Sequence, residues 1–133
     1  MIVFIVVIVS LTLLAGILYF LFPPVLVIGD SMFPTYRDQE VVFGRRIFLK
    51  SKLKPGDVVV YRSPDEPTRV VIKRIEMTTN NWLDKKFFYC LGDNSGCSHD
   101  SRDYGFVPSK NLVCKVIKPR ENLNKGGKSN DEQ

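Results

Sequence analysis

The chain begins with one unbroken apolar run and then changes to short apolar runs separated by turn residues. Residues 1–22 contain no Lys, Arg, Asp, Glu or His. At about 1.5 Å per residue, a helix of this length covers about 33 Å, which is enough to cross the hydrocarbon core of a bilayer. Pro23 and Pro24 follow directly and end such a helix. The pattern predicts a transmembrane anchor over residues 1–22.

Two other readings of this run are weaker. A cleaved secretory signal would carry a basic segment at its start and a small-x-small site before Pro23, and neither is found. A helix buried in a soluble domain is disfavoured by the length of the run. The positive-inside rule would place Arg37, Arg45 and Arg46 in the cytoplasm, but folded domains translocate largely regardless of charge. Charge alone therefore leaves the orientation open.

After Pro24 the apolar runs are rich in Val, Ile, Phe and Tyr, as strands prefer. Strong turn signals, such as residues 54–57, 63–67 and 92–96, separate them. Six strands are predicted: Val25–Ile28, Glu40–Arg46, Asp57–Arg62, Arg69–Ile75, Phe87–Leu91 and Leu112–Ile117. With no amphipathic helix between them, the pattern predicts a mainly β protein, a small barrel or sandwich over residues 25–118. Residues 119–133 are polar and are predicted to form a disordered tail.

Composition adds two constraints. The 133 residues carry a net charge of +5, all of it outside the apolar run, which suits a domain resting on anionic head groups. No basic stripe with interleaved aromatic residues is found, so nucleic acid is not expected as a partner. The three cysteines, Cys90, Cys97 and Cys114, form no CxxC pair and predict neither a zinc site nor a disulfide framework.

Ser31 is the first candidate for chemistry, because it follows the apolar run by only nine residues. A serine hydroxyl is a weak nucleophile until a base takes its proton. One candidate base is His99, the only histidine, which with Asp100 would complete a Ser-His-Asp triad. A single histidine in a polar loop is more often an exposed residue.

Lys73 is the other candidate base. Alternate strand residues share a face, so Lys73 points the same way as Val71 and Ile75. If that face is in the core, desolvation lowers the lysine pKa and makes the amine a general base near neutral pH. If the strand lies at an edge, Lys73 extends to solvent beside Arg74. Periodicity does not choose between these two positions.

Four motifs in order resemble the type I signal peptidase family of membrane-anchored Ser/Lys peptidases. Gly29–Thr35 (GDSMFPT) is similar to the family's nucleophile motif, and Lys54–Tyr61 (KPGDVVVY) to a structural strand motif. Ile72–Arg74 (IKR) resembles the motif that carries the base lysine. Gly92–Arg102 (GDNSGCSHDSR), continuing to Gly105–Pro108 (GFVP), resembles the family's fourth block. The motifs span nearly all of the chain between the anchor and the tail.

The resemblance implies roles for these residues. Ser31 would be the nucleophile and Lys73 the general base, with Ser98 bonded to the lysine amine. Asp100 and Arg102 would form an ion pair that holds the loop carrying Ser98. No metal or cofactor is implied. The expected substrates are signal sequences of exported preproteins, cleaved after a small-x-small site, by a single-pass membrane protein whose catalytic domain lies on the exported side.

The chain also departs from the family. Some members have a serine, an oxyanion donor, two residues before the nucleophile, where this chain has Gly29. Only 18 residues separate Lys73 from Gly92, too few for the second β domain of some bacterial members. This compactness also resembles nickel-superoxide-dismutase maturation peptidases and the mitochondrial inner-membrane peptidases. A general signal peptidase is the first hypothesis. A dedicated maturation peptidase, an inactive membrane-tethered relative and, less favoured, a self-cleaving regulator are the others.

Overall fold

A computed structural model describes residues 1–47 and 52–117 of the chain. It contains one long helix, α1 (Ile2–Leu21), followed by a β domain with one short helix, α2 (Ser101–Tyr104). Short 3-10 helices cover Ser95–Cys97 and Ser109–Asn111. The seven strands are β1 (Pro24–Leu26), β2 (Val41–Arg46), β3 (Val58–Arg62), β4 (Val70–Asn80), β5 (Lys86–Leu91), β6 (Val107–Pro108) and β7 (Leu112–Val116). The prediction of a mainly β domain behind one apolar helix is confirmed.

Helix α1 is long and apolar enough to cross a membrane, and none of its residues is buried against the β domain. The Ser10 and Thr12 hydroxyls are satisfied within the helix: Ser10 donates to the Val6 carbonyl, and Thr12 to the carbonyls of Ile8 and Val9. Such bonds within the helix hide polar groups that lipid cannot solvate. The helix ends at Leu21, directly before the two prolines, as expected.

The strands form one antiparallel sheet in the order β1-β2-β7-β3-β4-β5-β6. Apolar residues fill both faces, which explains why the strands near the middle of the order read as nearly continuous apolar runs. One core cluster includes Val58, Val60 and Ile72, and the other includes Val59, Tyr61 and Ile75. Alternate residues of β3 and β4 therefore enter different clusters, and the segments Val58–Tyr61 and Ile72–Ile75 are buried on both faces.

The structure differs from the predicted elements in three places. Strand β4 continues beyond Ile75 to Asn80 because it forms a long hairpin with β5, whose register shifts between Ile75 and Met77. The short helix α2 was not predicted, although Asp100 and Asp103 form a capping box around its first turn. Strand β6 was also missed because it is only two residues long. The predicted tail over residues 119–133 lies outside the described residues.

Candidate active site

The site is a cleft with a volume of about 530 Å³, lined by residues of β1, β3 and β4, of the loop after β1 and of the segment before α2. Both Ser31 and Lys73 line it, although 42 positions separate them in the chain. The apolar part of the lining consists of Val25, Leu26, Ile28, Val60, Val70, Val71 and Ile72. The cleft can therefore hold a short apolar segment of an extended peptide beside a hydroxyl and an amine.

The Ser31 loop is held in place by backbone contacts on both sides. Gly29 has a φ of +84°, a conformation that side chains with a Cβ rarely adopt, and its N–H donates to Asp38 Oδ1 at 2.7 Å. The Ser31 carbonyl accepts the Asn94 N–H at 2.9 Å, and Asn94 Nδ2 donates to the Asp30 carbonyl at 3.0 Å. These bonds set the direction of the half-buried Ser31 side chain from two distant segments.

Lys73 is only 3% exposed and lies on the face of β4 shared with Val71 and Ile75. Of the two positions that periodicity left open, the structure places Lys73 in the core. Burial lowers the pKa of its amine to about 8, and Asp100 opposes the decrease while Arg69 adds to it. At pH 7 about a tenth of such amines are neutral, compared with fewer than about one in a thousand at the ordinary lysine value.

Gly92 lies between the Ser31 loop and the loop that carries Ser98. A Cβ built at this position would lie 2.1 Å from Ser98 Oγ and 2.6 Å from the Ser31 carbonyl oxygen. Only glycine fits there without moving one of these neighbours. The Gly92 N–H also donates to Asp100 Oδ2 at 2.9 Å, so this residue connects the Ser31 loop with the loop that carries Ser98.

Asp100 is fully buried and is the centre of a hydrogen-bond network. It accepts the Ser98 hydroxyl at 2.6 Å and two side-chain bonds from Arg102, at 2.9 and 2.6 Å. Burial would raise the pKa of Asp100, but the bonds from Arg102, Ser98 and the Gly92 N–H hold it well below the usual range. The carboxylate thus stays charged and fixes the Ser98 side chain against Gly92.

A second buried ion pair supports the same loop and was not expected from the sequence. Arg74 donates from Nε and Nη2 to the two oxygens of Asp93, at 3.0 and 2.8 Å, and from Nη1 to the Gly56 carbonyl at 2.9 Å. Both residues lie in the motifs of the site, because Arg74 directly follows Lys73 and Asp93 directly follows Gly92. Their pairing could not be deduced because the two residues are distant in sequence.

His99 also lines the cleft, but the structure does not place it on Asp100. Its Nε2 lies 2.6 Å from Asp65 Oδ2 and its Nδ1 lies 3.2 Å from Asp103 Oδ2. Both ring nitrogens are therefore occupied by carboxylates, of Asp65 and of Asp103. The Ser31, His99 and Asp100 side chains therefore do not form a triad.

The polar groups of the site are not all bonded to one another. Within residues 1–47 and 52–117, the hydrogen bonds found do not include one from the Lys73 amine to Ser31 or Ser98. Ser98 donates to Asp100, and its oxygen lone pairs remain available as acceptors. Among the described side chains, no group of three His, Cys, Asp or Glu residues is placed to hold a metal ion. Cys90 and Cys114 are buried free thiols, and Cys97 is an exposed one.

Comparison with known proteins identifies the family of this chain. The family model described as "Signal peptidase, peptidase S26" matches residues 1–78, more than half of the chain. The β domain behind an apolar helix therefore belongs to a peptidase associated with the membrane. The chain is a member of the signal peptidase family, which confirms the resemblance found in its motifs.

Three curated relatives illustrate the range of the family. A mitochondrial inner membrane protease subunit 1 of Xenopus tropicalis is 29% identical, covering 71% of this chain and 68% of its own length. The mitochondrial ATP-independent inner membrane protease subunit 1a of Arabidopsis thaliana is 30% identical over 67% of this chain and 64% of its own. The signal peptidase I of Buchnera aphidicola is 44% identical over 34% of this chain, but that match spans only 15% of its length.

Proposed function

We propose that this chain is a membrane-anchored serine endopeptidase that uses Ser31 as nucleophile and Lys73 as general base. The observation that supports this most strongly is the position of Lys73, a 3% exposed lysine whose pKa is lowered to about 8 and which lines the same cleft as Ser31. A buried, partly neutral amine beside a hydroxyl is an unusual and costly arrangement for a purely structural lysine.

The first chemical step transfers one proton and forms one bond. The neutral Lys73 amine takes the hydroxyl proton of Ser31 while the serine oxygen attacks the scissile carbonyl carbon. The resulting ammonium then gives that proton to the departing amine as the C–N bond breaks, which leaves an acyl-enzyme on Ser31. Lys73 next takes a proton from water, whose oxygen attacks the ester carbonyl carbon. The ammonium returns that proton to the Ser31 oxygen as the C–O bond breaks, which releases the second product and restores the enzyme.

The oxyanion formed in each step needs a preorganised donor, worth about 3–4 kcal/mol. The Ser31 N–H is the candidate, since among the described residues no acceptor is bonded to it. The Gly29 N–H does not serve, because it donates to Asp38 Oδ1. A serine at position 29 would also be strained at a φ of +84°. Position 29 therefore lacks the side-chain donor of some family members and has a backbone conformation that favours glycine.

Ser98, Asp100 and Arg102 act as positioning residues in this proposal. Asp100 holds the Ser98 hydroxyl at 2.6 Å and is itself held by two bonds from Arg102. Because Ser98 donates to Asp100, its oxygen keeps lone pairs that would accept a bond from the Lys73 amine. Such a bond would direct the remaining amine lone pair towards Ser31.

The proposed substrates are signal sequences of exported preproteins, bound as an extended strand in the cleft between β1 and β4 residues. The apolar lining accepts short aliphatic side chains and supports cleavage after a small-x-small site. Relatives named signal peptidase I and inner membrane protease subunit support a processing role at a membrane. Helix α1 would anchor the enzyme in the same bilayer as its substrate, with the catalytic domain on the exported side.

The test uses purified full chain in detergent micelles and a preprotein bearing an Ala-x-Ala site. Ser31→Ala and Lys73→Ala should each lower the cleavage rate at least about a thousandfold. Ser95→Ala and Lys110→Ala, which change exposed residues outside the cleft, should leave the rate unchanged. Cleavage that survives in Lys73→Ala would disprove the dyad.

The pH profile provides an independent test of the base. The single-turnover rate should rise about tenfold per pH unit below the lowered pKa of Lys73 and level off above about 8. A flat profile between about pH 6 and 9 would contradict a lysine base. Profiling of N-termini in membranes with and without the enzyme then separates general from dedicated processing: many altered signal sequences indicate a signal peptidase, and one altered propeptide indicates a maturation peptidase.

A further inference from the structure

A second cleft lies at the end of helix α1, away from Ser31 and Lys73. It has a volume of about 340 Å³ and is lined by the last residues of the helix region, Leu21 and Phe22, and by four cationic side chains. The cations are Arg45, Arg46, Lys52 and Lys115. We refer to these four residues and the space they enclose as the basic cleft. The catalytic proposal makes no use of it.

The depth of the basic cleft follows from the helix. If α1 spans the hydrocarbon core with its 20 residues, at about 1.5 Å each, its end at Leu21 lies at the boundary with the head groups. Arg46 marks that boundary: its Nε donates to the Phe20 carbonyl at 2.8 Å and its guanidinium lies 4.2 Å from the centre of the Phe20 ring. Aromatic and basic residues are typical of this level.

Within the described residues, the charges of the basic cleft are only partly balanced by carboxylates. Arg45 and Lys115 are directly opposite each other in the β2–β7 pairing, an arrangement in which like charges repel. Lys115 contacts Asp57 at 3.0 Å, whereas no carboxylate in the described ranges contacts Arg45 or Lys52. An anion in the cleft would relieve this repulsion and would lie beside the apolar side chains of Leu21 and Phe22.

We propose that the basic cleft binds the phosphate of an anionic phospholipid in the leaflet where α1 ends. A lipid suits the site better than a free phosphate, because the cleft joins cations to the apolar end of the anchor and so accommodates both a head group and the start of an acyl chain. Such a lipid would fix the β domain at a set height over the membrane. The inference uses the anchor of the proposed function but not its catalytic residues.

The experiment measures lipid selectivity of the full chain in phosphatidylcholine nanodiscs. Trace spin-labelled phosphatidylglycerol or spin-labelled phosphatidylcholine is added, and electron paramagnetic resonance reports the fraction of label immobilised by the protein. We expect the wild type to prefer phosphatidylglycerol. The Arg45→Gln/Lys115→Gln variant should lower that preference about tenfold. The Arg62→Gln/Lys110→Gln variant removes the same charge outside the cleft and should stay within about twofold of the wild type.

Each other outcome overturns part of the proposal. Equal loss in both double variants would mean general attraction of a basic domain to an anionic surface, with no specific site. Release of labelled phosphatidylglycerol by inorganic phosphate, but not by chloride at equal ionic strength, would identify a site for free phosphate. Immobilised phosphatidylcholine without any preference would refute the basic cleft alone, whereas no immobilised lipid of either kind would refute the anchor as well.

Discussion

Replacing Lys73 by methionine tests the physical basis of the proposed active site, because it removes the amine and keeps a long, unbranched side chain. In the wild type, the folded state holds this lysine 3% exposed with a pKa of about 8, compared with 10.5 in an unfolded chain. At about 1.4 kcal/mol per pKa unit, that difference corresponds to about 3 kcal/mol. Burying the charged amine therefore lowers the free energy of unfolding by up to this amount.

The sign of the pH dependence follows from proton counting. Below about pH 8 both states of Lys73 are protonated, and the full cost of the buried charge is present. Between about 8 and 10.5 the folded state has lost the proton that the unfolded state still holds, so wild-type stability rises with pH. Above 10.5 both are neutral. Lys73→Met should therefore be more stable than the wild type by up to about 3 kcal/mol at pH 7, with the difference fading as the pH approaches 10.5.

Urea unfolding of the full chain in detergent, followed by the near-ultraviolet circular dichroism of the buried Tyr36 and Tyr61, measures this difference at pH 7, 8, 9 and 10. Lys110→Met is the matched control, since its side chain is exposed and should show no such trend. A difference between wild type and Lys73→Met that is constant with pH, or a variant less stable at pH 7, would refute the claim that desolvation lowers this pKa.

Three further predictions concern the support of the site. Gly92→Ala would place a Cβ 2.1 Å from a side-chain oxygen, so it should lower the free energy of unfolding by about 1–3 kcal/mol and remove most of the activity. In Gly96→Ala the new Cβ is 3.9 Å from its nearest neighbour, so stability and activity should stay unchanged. Urea unfolding and cleavage assays measure both variants. Asp93→Asn leaves the buried Arg74 charge poorly matched and should lower the free energy of unfolding by about 3 kcal/mol; a change below about 0.5 kcal/mol would contradict this. His99→Gln should keep at least about half of the cleavage rate, and a thousandfold loss would revive the histidine as base.

Much of the fold could be predicted because its signals are local. The apolar run and the following prolines define α1, and the β-branched and aromatic runs predicted six of the seven strands. The strand segments that were missed depend on pairing with another strand. The extension of β4 to Asn80 depends on pairing with β5, and the Met77–Asn80 segment carries no apolar alternation of its own. The short β6 is formed only because it pairs with β5.

The candidate site divides in the same way. The residue types available after α1 can be read from the sequence: a serine in a glycine-containing loop, a lysine on an apolar strand, and a polar block ending in Arg102. Their motifs also indicated the family. Periodicity assigned Lys73 to the face of Val71 and Ile75, but it could not show whether anything covers that face.

Tertiary structure decided the rest, because burial and electrostatics depend on segments that are distant in the chain. The folded domain buries the Lys73 side chain, and this burial lowers the pKa of its amine. Gly92 brings Ser98 against the Ser31 loop and donates its N–H to Asp100. The basic cleft likewise exists only because β2 and β7 pair Arg45 with Lys115 beside the end of α1. Desolvation and the pairing of charges are properties of the folded surface, and no single stretch of sequence contains them.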